Sequence, residues 1–321
     1  MRKNNSRSLV RKEETKDIGT ILIEAGKLTP SELEKIIEFQ KRYNLLFGEA
    51  AVKLHFLKEE DVTWALAVQF SYPYLKKGEN TISKEVIAIH EPFSPQVETI
   101  RTIRSEMVLS GVGSKIKTIA VISPDDGEGK TFVSSNLAAV FAQLGSKTML
   151  MDINFRRPRI HEIFNLRNNC GLSSLIIRRA DLSQAVQFRL IPSLHIMPSG
   201  PKPPNPVELL GWQETRELIS SIKNLYDVVI IDTPSFLKSG DALLISNLSD
   251  AVIIVVAKGY TKVDSFGQVK KQLDSSGVRI IGSLINETGK KDKKIVNGLS
   301  SWQVKRLLRW RGFKRQRWLS S

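Results

Sequence analysis

The chain has 321 residues, 41% of them hydrophobic, and a single cysteine, Cys170; that is room for one large domain and a smaller one, and it leaves no internal disulfide framework. The longest apolar run, Ala251 to Ala257, is far too short to cross a bilayer, and the charged start Met1-Arg2-Lys3 opens no signal peptide, so the expected setting is a reducing cytoplasm. Of the formal net charge of +15, the ends carry +14: residues 290 to 321 hold eleven Lys/Arg against Asp292, and residues 1 to 16 hold six against Glu13 and Glu14. The basicity therefore belongs to two tails, 1–16 and 290–321, and is no argument for a nucleic-acid-binding core.

Residues 17–76 read as a small helical domain with an internal repeat. Shifted by 29 positions, Ile18-Gly19 falls on Phe47-Gly48, Leu28 on Leu57, Leu33 on Val62, Ile37 on Leu66 and Gln40 on Gln69. Each copy has a short helix, a turn near Gly26 or His55, and a second helix ending in Gln. Thr29-Pro30-Ser31-Glu32 supplies a cap and a first-turn proline. Residues 77–95, polar and broken by Gly and Pro, read as a linker. A helix beginning near Ser94-Pro95-Gln96 then carries Glu98, Arg101 and Arg104 at spacings of three on one face.

Within 96–289, apolar β-branched runs at 117–122, 148–152, 194–197, 226–231, 251–257 and 279–285 alternate with mostly helical stretches. That pattern predicts an α/β domain, a mostly parallel sheet with helices on both faces, whose ligands bind at the carboxyl ends of the strands. Three strand ends carry chemistry. After the first run comes Ser123-Pro124-Asp125-Asp126-Gly127-Glu128-Gly129-Lys130-Thr131, a phosphate loop leading into an amphipathic helix from Phe132. Gly127 and Gly129 let successive N–H groups curl round an anion, Lys130 reaches the β/γ-phosphates, and Thr131 is placed for Mg²⁺. The second run ends in Asp152, followed by Ile153-Asn154-Phe155-Arg156-Arg157-Pro158. The fourth ends in Asp232, the pattern of a carboxylate that holds Mg²⁺ directly or through water. An Asp at a strand end also caps helices, but two beside a phosphate loop point to metal and phosphate.

Two resemblances add to this. The helical repeat resembles the MshEN domain of type II secretion ATPases, tandem Arg-Leu-Gly-to-Gln motifs that bind cyclic di-GMP. Gly19, Gly26, Gln40, Gly48 and Gln69 fit, whereas Asp17 and Leu46 stand where the arginines belong and His55 replaces a turn glycine; a docking domain whose motif residues serve helix packing is the alternative. The larger part, about residues 17 to 288, resembles the bacterial tyrosine kinases, most closely the EpsG group of exopolysaccharide chain-length determination. The resemblance is carried by the loop with Pro124, by Asp152 with Arg156-Arg157 and Pro158, by Gly200-Pro201-Lys202-Pro203-Pro204-Asn205-Pro206, and by Glu98, Arg101 and Arg104, which in relatives lie at the contact between subunits of a ring.

The resemblance implies phosphoryl transfer from ATP to tyrosine with Mg²⁺ as cofactor. It implies catalytic roles for Lys130, Asp152 and Asp232 and metal ligation by Thr131, Asp152 and Asp232. Nucleotide contacts fall to Asp126, Gly127, Glu128, Gly129, Lys130, Thr131 and Phe132, with Asn286 meeting the adenine. It also implies a homo-oligomer working at the cytoplasmic face of the membrane beside a Wzz-like chain-length determinant. Two departures stand out: Asn154 replaces a second carboxylate, and the chain lacks a tyrosine cluster at its end, its last tyrosine being Tyr260. A catalytically weak, ATP-responsive scaffold and a cyclic di-GMP receptor are the rival readings. Residues 302–319 interleave Trp, Leu and Phe with Arg and Lys, which suits an anionic membrane surface better than nucleic acid; a basic tail with neither role is the alternative.

Overall fold

A computed structural model describes residues 16–70, 72, 82–188, 191–287 and 308–312. The chain divides into two compact units, Met1–Gly78 and Glu79–Ser321. The first holds α1 (Ile18–Glu24), α2 (Pro30–Tyr43), α3 (Phe47–Lys53) and α4 (Glu59–Gln69). The sequence repeat is a repeat of contacts. A Cβ on Gly19 would lie 2.7 Å from Leu33, and one on Gly48 would lie 2.6 Å from Val62, so each glycine admits the side chain of its own copy's second helix. Gly26 and His55 both take left-handed φ, +67° and +58°. The Thr29–Glu32 capping box forms with both of its reciprocal bonds. Leu22, Ile36, Ala50, Ala51 and Ala65 make the core.

The second unit begins with α5 (Ile87–His90) and α6 (Pro95–Leu109), then β1 (Thr118–Ile122), α7 (Lys130–Gln143) and β2 (Thr148–Asp152). There follow α8 (Ile160–Ile163), α9 (Leu172–Ile176), α10 (Leu182–Ala185), β3 (Gln187–Phe188), β4 (Leu194–Met197), α11 (Pro206–Gly211) and α12 (Gln213–Leu225). The unit closes with β5 (Val228–Asp232), α13 (Asp241–Leu248), β6 (Ala251–Ala257), α14 (Val263–Ser275), β7 (Ile280–Asn286) and β8 (Leu308–Gly312). The strand order is β3-β4-β2-β5-β1-β6-β7-β8. The six expected strands form its parallel centre. Short antiparallel strands lie at both edges, β3 on β4 and β8 on β7.

Three expectations are corrected. The helix after the phosphate loop is not amphipathic: α7 is buried on nearly every side, because a further layer covers its outer face. Part of that layer is the presumed linker. Ile82, Val86, Ala88 and Ile89 are buried, and the segment is tied down by Ala88 N–H donating to Asn136 Oδ1 (3.0 Å) and Asn136 Nδ2 donating to the Glu85 carbonyl (2.8 Å). One apolar turn among polar residues was too short a signal to separate it from a linker. Finally, 290–321 is not all tail, since Leu308–Gly312 pairs in register with Gly282–Asn286; the rest of the expected membrane-binding stretch, and the tail 1–15, lie outside the described residues.

Candidate nucleotide site

Sheet register assembles the site. Val121 pairs with Asp232 across β1 and β5, and Asp152 pairs with Asp232 across β2 and β5, which sets both carboxylates beside the start of the phosphate loop at the carboxyl edge. Gly127 and Gly129 take φ of +76° and +97°, a region closed to most side chains, and so turn the chain into α7. From there Thr131 Oγ1 donates to Asp232 Oδ2 (2.8 Å), and Ser134 Oγ sits 2.7 Å from Asp232 Oδ1 and 2.7 Å from the Lys130 carbonyl. Ser134 was missed by sequence reading; its signal is its place one helical turn beyond Lys130.

Asp152 does two jobs. Its Oδ1 accepts from Asn154 N–H (3.0 Å) and its Oδ2 from the N–H groups of Arg159 and Ile160 (both 3.0 Å), so it also caps the following turn. Asn154 Oδ1 accepts from Arg157 N–H (3.1 Å), a turn-forming bond that an amide makes as well as a carboxylate. Burial, and then the neighbouring Asp232, push Asp152 up to about 8. Asp232 is also raised by burial, against the Ser134 and Thr131 hydroxyls that favour its ionised form. Lys130 and Arg159 oppose that rise at Asp232, and a cation bound between the two buried carboxylates would relieve it further.

Lys130, 6% exposed, donates to Ser123 Oγ (2.8 Å) and to the Asp125 carbonyl (3.2 Å); burial lowers its pKa, while Asp232 and Asp126 oppose that. Glu128 points away from the cavity. Its carboxylate accepts from Asp125 N–H (2.8 Å) and from the Thr261 hydroxyl, which clamps the loop to the turn after β6. Asn286 is fully buried behind the loop, where its Nδ2 donates to the Glu128 carbonyl (2.9 Å). That bond props the loop, while Asn286 Oδ1 is buried without a hydrogen-bond partner among the described residues.

A cavity of about 260 Å³ opens between these elements, lined by Asp126, Gly127, Gly129, Lys130, Thr131 and Phe132 together with Glu85, Asn154, Arg157 and Arg159. Of the last four, Glu85 comes from the segment read as a linker, whereas Asn154, Arg157 and Arg159 follow Asp152 in the second chemical strand end. At its mouth Asp126 accepts from Arg157 (3.1 Å) and Lys238 (3.0 Å). Behind it, Arg156 forms a two-pronged pair with Asp241 (2.6 and 3.1 Å). The interface candidates lie elsewhere, on α6: Arg104 donates to the Val140 carbonyl of α7 (2.9 Å), and Arg101 lies 3.5 Å from Glu98.

Strand, glycine loop and helix, with two carboxylates closing the metal side, define a P-loop nucleotide-binding domain. The AAA domain family matches residues 116–277, half of the chain. Tyrosine-protein kinase YwqD of Bacillus subtilis is 36% identical over 219 residues, 68% of this chain and 92% of its own length. Tyrosine-protein kinase CpsD of Streptococcus agalactiae is 35% identical over 191 residues, covering 59% and 82%. Among solved structures, the kinase domain of Escherichia coli tyrosine kinase ETK aligns at a TM-score of 0.62 with 27% identity, over 70% of this chain and 88% of that one. The chain belongs to the bacterial tyrosine-protein kinase family.

Proposed function

We propose that the chain is an ATP-dependent protein-tyrosine kinase of exopolysaccharide production that acts on polymer chain length or export. The observation that carries the reading is the row Val121, Asp232, Asp152 set against Lys130 and Thr131. The residues suit Mg·ATP: the paired buried carboxylates call for a cation, and the loop offers N–H groups and an ammonium to phosphates. Thr131, Asp232 and Asp152 would hold Mg²⁺, which supplies neutralisation of charge on the terminal phosphates. Lys130 and the loop amides stabilise charge on the group in transfer, Asp126 and Phe132 border it, and Glu128 and Asn286 keep the loop in shape. Asp152 is also the carboxylate available to take a tyrosine proton.

Phosphorylation of a Glu/Tyr copolymer by the purified chain with Mg·ATP tests the proposal, with Lys130→Ala and Asp232→Asn as blanks. We expect phosphotyrosine from the wild type alone. ATP binding with no phosphotyrosine on either the copolymer or the chain itself would refute kinase activity and favour the ATP-responsive scaffold, the reading supported by Asn154 in place of a carboxylate.

The setting follows from the same reading: a homo-oligomer using Glu98, Arg101 and Arg104 on α6, at the inner face of the membrane beside a Wzz-like chain-length determinant, with the basic C-terminal residues on anionic lipid. Among the described residues, no helix is long and apolar enough to cross a membrane. We assign the helical unit to docking rather than to cyclic di-GMP, because the contacts of Gly19 and Gly48 with Leu33 and Val62 account for the repeat through packing.

A further inference from the structure

The chain has five tyrosines, at positions 43, 72, 74, 226 and 260. The first three belong to the helical unit. In the unit that carries the phosphate loop, Tyr226 is 5% exposed and its hydroxyl meets His195 Nδ1 at 2.6 Å, whereas Tyr260 is 47% exposed. Tyr260 is thus the one tyrosine of that unit that presents itself to solvent.

Its backbone is fixed to the nucleotide site. Gly259 turns the chain out of β6 at φ +71°. Tyr260 N–H and Thr261 N–H both donate to the Ala257 carbonyl (3.1 and 3.0 Å), and Lys258 N–H donates to the Asn286 carbonyl (3.0 Å). Thr261 Oγ1 accepts from Ala257 N–H (2.8 Å) and donates to Glu128, between the two loop glycines. On the other side, Lys238 is bonded to Asp126 at the loop's tip. Asp126 chiefly, then Asp125 and Tyr260, raise the Lys238 ammonium above its ordinary range. Tyr260 therefore projects from a turn bonded directly to the phosphate loop, with Lys258 and Lys262 two positions away on either side in the chain.

We propose that Tyr260 is the phosphoacceptor of this chain. The inference rests on the kinase reading and names that site's substrate. The Tyr260 phenol oxygen forms a bond to the γ-phosphorus of ATP, the bond from that phosphorus to the β,γ-bridging oxygen breaks, ADP departs with the electron pair, and the phenolic proton passes to Asp152, the base named above. The product carries about −1.5 to −2 charges where the tyrosine already acts on Lys238. A phosphotyrosine there competes with Asp126 for that ammonium and loosens the link across the mouth of the cavity.

The test uses the full chain with Mg·ATP, with Lys130→Ala as the blank and the Glu/Tyr copolymer assayed alongside. Cleavage after acidic residues releases Ala251 to Asp264, a fragment in which Tyr260 is the only tyrosine, so mass spectrometry places the phosphate without ambiguity. The expected result is Lys130-dependent phosphate on this fragment, with Tyr260→Phe lowering total autophosphorylation at least tenfold. Copolymer phosphorylation with an unmodified fragment would overturn the Tyr260 assignment and leave the kinase reading standing. Absence of Lys130-dependent phosphotyrosine in both would overturn the two together.

Discussion

Replacing Gly129 by alanine probes how the phosphate loop is supported. The residue has φ +97°, and an added Cβ would sit 2.0 Å from Asn286 Nδ2 and 3.2 Å from its Cγ. Left-handed backbone costs an L-residue about 1–2 kcal/mol. Moving the Asn286 amide also breaks its bond to the Glu128 carbonyl, and leaving a buried carbonyl unpaired costs about 1–3 kcal/mol. For a unit of this size that corresponds to a fall in melting temperature of roughly 5–15 °C, read by scanning calorimetry of the full chain. The decisive comparison is a double-mutant cycle. With Asn286→Ala already in place the clash is gone, and Gly129→Ala should then cost only the backbone strain, about 1–2 kcal/mol. An equal cost in both backgrounds would refute the account of Asn286 as the loop's prop.

Three further outcomes are expected. Asp152 has a folded value of about 8 against an ordinary 3.8, so in chelator its contribution to stability is fully present below pH ~4 and is lost as pH rises to ~8. Asp152→Asn should flatten that fall in urea titrations across the range, and an unchanged difference between pH 5 and pH 8 would contradict it. Gly19→Ala and Gly48→Ala should each destabilise the helical unit by about 1–3 kcal/mol through overpacking, measured by circular dichroism on melting; an effect at only one site would deny that the two copies pack alike. Thr29→Ala, which removes one side of the capping box, should cost that unit about 1 kcal/mol by the same measurement.

The central strands, the loop and both acidic strand ends were legible because each depends on a local pattern: an apolar β-branched run, glycines where φ must be positive, a carboxylate where the run stops. The duplicated helical unit was legible for a related reason, since register alone pairs Gly19 with Leu33 and Gly48 with Val62. What stayed hidden depends on contacts between distant segments. Glu128 meets Thr261 across 133 positions, and Glu85 reaches the cavity only because its segment lies over α7. The edge strands β3 and β8 are short and rich in polar or charged residues, so no alternation announces them. Asn286 was legible as the polar end of a strand, but its bond to the Glu128 carbonyl, across 158 positions, and its close approach to Gly129 join distant segments.

The phosphate loop is closed upon itself. Lys130 is held by Ser123 and the Asp125 carbonyl, Thr131 by Asp232, and the loop's tip is bridged through Asp126 to Arg157 and Lys238. Each of these is a bond that an incoming phosphate chain must replace, and net affinity is the difference between the new bonds and those given up. A single small anion replaces one or two at most, while the remaining ties stay in its way. Under the proposed ATP-binding role these ties would set a threshold, orthophosphate recovering few of the bonds given up and a polyphosphate that engages Lys130 and the tip together recovering more.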